Sequence, residues 1–147
     1  MATTFRADTR AGLYTALVAF RTAQPSRLSE VYRVRPAHYN VPMPLAWVDL
    51  LSESASHTSG TRERVLSPSV VFMGEPIEND EQVTAWDALV DLAADHFTDY
   101  AHISANTIWD RWVITDETEE VESAGQVRLF PIVRFTFQNV SIREGRS

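Results

Sequence analysis

The sequence predicts an α+β domain: a single mixed sheet of about five strands, two helices packed on it, and a long C-terminal β-hairpin closing the chain. Three observations lead there. Two stretches repeat apolar residues at helical spacing, Leu13-Ala16-Leu17-Phe20 and Val83-Trp86-Leu89-Ala93-Phe97. Between and after them lie runs rich in Val, Ile, Phe, Trp and Thr, which suit a pleated, half-buried surface. Strands come in groups rather than alternating singly with helices, which favours α+β over a parallel α/β sheet. With 147 residues, 44 % of them apolar, the chain fits one domain over 1–147 and is long enough to bury a core.

The first helix is expected from about Asp8 to Ala23. Asp8 is placed to accept an orphan backbone N–H as the N-cap, and Pro25 ends the helix. A short strand follows in EVYRVR, Glu30 to Arg35. Pro36, Pro42 and Pro44 then mark a loop or irregular edge, because proline has no N–H to give to a ladder. Leu45 to Leu51 reads as a strand centred on Trp47, and the small polar run Ser52 to Thr61 as an exposed loop.

A third strand is expected from about Arg64 to Met73, with Pro68 at a bulge or edge position. The second helix is expected from Asp80 to His102. Its stripe runs Val83, Trp86, Leu89 or Val90, Ala93, Phe97 and Tyr100. Asn79 followed by Gln82 resembles a capping box, and Asp80 and Glu81 suit the positive end of the helix dipole. Two strands close the chain, Ile108 to Thr115 and Val127 to Ile142, on either side of an acidic connection, DETEEVESAGQ. Phe130 and Ile132 fall on one parity of the last strand, and Leu129, Val133, Phe135 and Phe137 on the other. Apolar residues on both faces predict a strand interior to the sheet, at least in its first half.

Chemistry is sparse in this pattern. There are no cysteines, which removes disulfides, thiolate metal sites and cysteine nucleophiles together. The five glycines are far apart, so no loop is shaped to cradle phosphate. Asp95, Asp99 and His102 share helical spacing that a metal site can use. A solvated acidic face opposite the Val83/Trp86/Phe97 stripe is the favoured explanation, because a closed site needs ligands from a second element too. His38 and His57 lie among prolines and serines, and no serine sits in a nucleophile elbow. The expectation is a protein that is not an enzyme and has no cofactor, metal or catalytic residue.

Charge narrows the partners. Thirteen basic against twenty acidic residues give a net charge of −7, which opposes tight nucleic-acid binding. No stretch is apolar enough to span a bilayer, so no membrane partner is expected. The acidic group Asp116, Glu117, Glu119, Glu120 and Glu122 has two readings. One is a solvated loop that blunts an edge strand; the other is a surface that repels DNA or meets a basic partner. His38, Tyr39 and Asn40 in the proline-rich stretch, with His57, Thr58, Arg62 and Arg64 around the polar run, are candidate interface residues.

The order of segments resembles the tail terminator proteins of long-tailed (siphovirus-type) bacteriophages. It runs from the helix TRAGLYTALVAF through SESASHTSGTRER, RVLSPSVVFMG and DEQVTAWDALVDLAADHF to RLFPIVRFTFQNV, covering Thr9 to Val140. The resemblance implies a structural virion protein at the head–tail junction, assembled in the host cytoplasm. It implies a homo-hexameric ring that caps the tail tube and meets the tail-tube protein and head-connector or neck proteins. DNA would pass through the ring without specific binding. A head-closure, neck or tail-tube subunit would share most of these traits, and a small ligand-binding or enzymatic α+β domain is the reading from another class. That last reading places a cavity between helix and sheet near His96 or Trp86, Trp109 and Trp112.

Overall fold

The computed structural model describes residues 5–37, 42–58, 61–98, 111–138 and 140–145. The elements are α1 (Phe5–Ala23), β1 (Glu30–Tyr32), β2 (Leu45–Thr58), β3 (Thr61–Met73), α2 (Asp80–Thr98), β4 (Arg111–Ser123), β5 (Gln126–Gln138) and β6 (Val140–Gly145). They form an α+β fold with one mixed sheet, in the order β1-β2-β3-β5-β4. β1 lies parallel to β2, and the other pairs are antiparallel. β6 continues along β3 where β5 leaves it: β5 pairs with Ser69 to Met73, and β6 with Thr61 to Leu66.

The α1 stripe starts earlier than its spacing predicts. Phe5 and Thr9 are buried with Leu13, Ala16, Leu17 and Phe20, so the helix gains a turn and Asp8 falls inside its first turn instead of capping it. A carboxylate there still faces the positive end of the dipole. The Gln24 N–H donates to the Phe20 carbonyl at 2.9 Å, and the chain turns away at Pro25. In α2 the capping box forms. The Gln82 N–H donates to Asn79 Oδ1 at 3.0 Å, and Gln82 Oε1 accepts from the N–H groups of Asn79 (3.1 Å) and Glu78 (2.6 Å). Leu89, Ala93 and Phe97 are buried as the stripe predicts, whereas Val83, at the start of the helix, is exposed.

Three expectations about the strands change. The polar run Ser52 to Thr61 is not an exposed loop: β2 continues to Thr58 and pairs with β3 down to Thr58↔Thr61. Its apolar neighbours Leu45–Val48 and Val70–Met73 fix the register in the core, and the hairpin then extends the ladder over residues that burial alone would not order. The acidic stretch 116–123 is likewise strand, paired from Asp116↔Val133 to Ser123↔Gln126, and only Ala124 and Gly125 form the turn. Both have positive φ (53° and 78°), the two-residue hairpin geometry that follows strand twist. The strand expected from Glu30 to Arg35 ends at Tyr32. Pro68 does sit at an irregularity, opposite Leu50 where the β2–β3 register shifts.

β5 is interior from Ile132 on, where both its faces are covered; the start of the strand, which the pattern also counted as interior, is not. Val133, Phe135 and Phe137 point to the helices, where Phe20, Phe72 and Phe97 close the main core. Phe72 packs edge-on to Phe20 at 5.8 Å and to Phe135 at 5.7 Å between ring centroids. Phe130 and Ile132 point the other way and join Leu45, Trp47, Val71 and Met73 in a second buried cluster. Among the described residues, no helix covers that side. Arg35, beyond β1, reaches across it: its guanidinium lies 5.7 Å from the centre of the Trp47 ring and pairs with Glu119 of β4 at 2.6 Å.

Candidate partner-facing surface

Alternation along β4 divides the acidic group between two faces. Glu117 and Glu119 pair with Ile132 and Phe130 of β5, so they point to the side without helices. There they are engaged within the chain, Glu119 with Arg35 and Glu117 with Arg134 Nε at 2.9 Å. Arg134 also donates to Ser69 Oγ at 2.7 Å and Asp49 Oδ2 at 3.2 Å, forming a bracket across three strands. Asp116, Glu120 and Glu122 face the helix side, opposite Val133, Leu129 and Val127. These three make no ion pair among the described residues.

The geometry of the hairpin sets these three apart. β5 pairs with β3 from Ile132 onward, and the Pro131 carbonyl still accepts from the Gly74 N–H at 3.0 Å, so residues 126–130 pair with β4 alone. The end of the hairpin therefore runs past the sheet as a two-stranded arm, five residues or about 17 Å long. Its helix-side face lies beyond the reach of α2. Val127 and Leu129 there are 59 % and 52 % exposed, flanked by Glu120 and Glu122. Sequence alternation anticipated Leu129 as a core residue alongside Val133. It is not one, because the helix layer stops short of it.

Of the other candidate residues, His38, Tyr39 and Asn40 lie outside the described residues. The backbones of His57, Thr58 and Arg62 sit at the end of the β2–β3 hairpin, in the pairs His57↔Arg62 and Thr58↔Thr61. Arg64 has a structural place. Its Nε donates to Glu53 Oε2 at 2.6 Å and its guanidinium lies 5.1 Å from the centre of the Phe5 ring, while Arg6 holds the other Glu53 oxygen at 3.0 Å. The hydrogen bond from Arg64 holds the Glu53 carboxyl below the usual carboxylate range, assisted by Arg6 and opposed by partial burial.

The features weighed for chemistry are also placed. Asp95 is exposed, and Asp99 and His102 lie outside the described residues. Among the described residues, no three His, Cys, Asp or Glu side chains are grouped to hold a metal ion. His96 packs against Phe20 and Phe97, with Nε2 2.9 Å from the Ala16 carbonyl, joining α2 to α1. A cleft of about 370 Å³ opens at the start of α2, between Arg27, Pro44, Gly74, Ile77 and Trp86. It brings residues from four separate segments together, so no local pattern announces it. Among the described residues, no helix is long and apolar enough to cross a membrane.

The fold and surface thus define a single-sheet α+β domain with a projecting hairpin arm. No protein-family model matches the chain. A search of curated proteins likewise finds no match.

Proposed function

We propose that this protein is a structural subunit that assembles into a ring at the end of a phage tail tube, as a tail terminator does. The observation carrying this reading is the arm. A hairpin that leaves its own sheet and displays Val127 and Leu129 to solvent is costly in a lone domain and useful in an assembled one. The order of segments, the resemblance they bear to terminators and the acidic balance support the same reading. In the ring, the tail-tube protein binds one rim and connector proteins the other, and net negative charge lets DNA pass without sticking.

The test is electron microscopy of the purified protein, alone and with tail-tube subunits. Rings, and tubes whose growth stops when the protein is added, are the expected results. Particles that stay monomeric in both conditions overturn the reading.

The cleft at Trp86 favours one other reading, a ligand-binding domain. It combines an aromatic wall with Arg27 and Glu75, a setting for a small planar ligand with polar edges. Titration of aromatic acids monitored by tryptophan fluorescence separates the two. Saturable quenching lost in Trp86→Phe supports the ligand, and a flat response leaves the ring.

A further inference from the structure

We infer that the arm docks head to tail on the outer flank of α1 and β1 in a second copy of this chain, an inference that rests on the ring reading and names the contact that builds it. Charge is sorted across the sheet. Residues 5–37, which form α1, β1 and the turn after it, carry six arginines and only two acids, Asp8 and Glu30. Residues 74–98, which contain α2, carry seven acids and no base, and the arm adds Glu120 and Glu122. α1 packs over β2 and β1, while Phe97 of α2 packs on Phe135 and Phe137 of β5. Three of the six arginines are engaged elsewhere, Arg6 with Glu53, Arg35 with Glu119 and Arg27 in the cleft beside Trp86, so the basic flank rests on Arg10, Arg21 and Arg33, across the helix layer from the acids of α2.

The basic flank has the matching surface. Arg33, exposed, lies 4.9 Å from the centre of the Tyr14 ring, and Arg21 on the same flank donates to the Ser29 carbonyl at 2.8 Å. Val34 beside Arg33 is 56 % exposed, an apolar spot among cations opposite in character to Val127 and Leu129 among carboxylates. A two-fold contact through the basic flank or the arm alone would set like charges together. Head-to-tail contact sets acid on base at every joint, and repetition of one such joint closes a ring or grows a filament.

Charge exchange tests this directly in the full chain. Glu120→Arg with Glu122→Arg makes a variant whose arm is basic; Arg21→Glu with Arg33→Glu makes one whose flank is acidic. Each alone should weaken self-association tenfold or more by sedimentation velocity, and an equimolar mixture should restore it, because every joint then again pairs opposite charges. Leu129→Ser and Val34→Ser, at exposed positions where the monomer's melting temperature should stay unchanged, should each weaken association in the same way. Wild-type rings that persist unchanged in these variants, or a mixture that stays dissociated, overturn the docking and leave the ring reading standing. A wild-type protein that stays monomeric with and without tube subunits overturns both together.

Discussion

Glu53 shows how one residue can hold a helix to a sheet. It stands on β2 at the register shift, accepts from Arg64 on β3 and from Arg6 on α1, and so joins three elements. Its carboxyl pKa is lowered in the fold, so the stability it contributes is fully present above the unfolded carboxylate pKa and is lost as pH falls through the lower folded value. Urea midpoints measured from neutral to acid pH should fall more steeply for the wild type than for Glu53→Gln, which has no proton to gain. Equal slopes would remove Glu53 from the acid response. Ala124 offers a second test. Its φ of 53° is a left-handed conformation that its Cβ disfavours, so Ala124→Asn, giving the favoured Asn-Gly turn, should stabilise the hairpin by about 1 kcal/mol in chemical denaturation.

At the scale of elements, α2 depends on its start and on one buried face. Gln82 closes two orphan N–H groups ahead of the helix, and Gln82→Ala should cost about 1 kcal/mol. Phe97 meets Phe72, Phe135 and Phe137 within 6.3 Å between ring centroids, so it bonds the helix to two strands. Truncation to alanine should cost about 3–5 kcal/mol, readable as a lowered melting temperature. Gly74 ends β3 under Trp86: a Cβ added there would lie 2.7 Å from the ring. Gly74→Ala should therefore displace the indole and cost about 1–3 kcal/mol, with a change in tryptophan emission as its signature. The spacing of apolar residues made both helices legible. The polar ends of β2 and β4 were not, because strand pairing there comes from backbone partners distant in sequence and not from side-chain pattern.

At the scale of the whole molecule, all thirteen basic residues are arginines, and four of those among the described residues lie over aromatic rings. Planar guanidinium groups stack and bond in fixed directions in a way that lysine does not. Arg35 and Arg134 use this to cover the second apolar cluster where no helix among the described residues does. Arg134→Lys should keep the charge yet lose the bracket to Asp49, Glu117 and Ser69, and a lowered melting temperature checks it. Assembly through an acidic arm on a basic flank should also weaken as salt is raised from ~50 mM to ~500 mM, since screening shortens the reach of exposed charge. Sedimentation that is insensitive to salt would mean that the joint is apolar instead.

What the sequence determined by itself was the fold class, the two helices and the capping box at Asn79 and Gln82. Each rests on a short-range period or on chemistry between near neighbours. Tertiary structure alone decided which acidic residues face outward, because a strand's alternation gives two faces without saying which is covered. It engaged Glu117 and Glu119 with Arg134 and Arg35, and left Glu120 and Glu122 beside an uncovered Leu129. The physical reason is reach: the helix layer ends before the hairpin does, and only the assembled sheet sets where that edge falls.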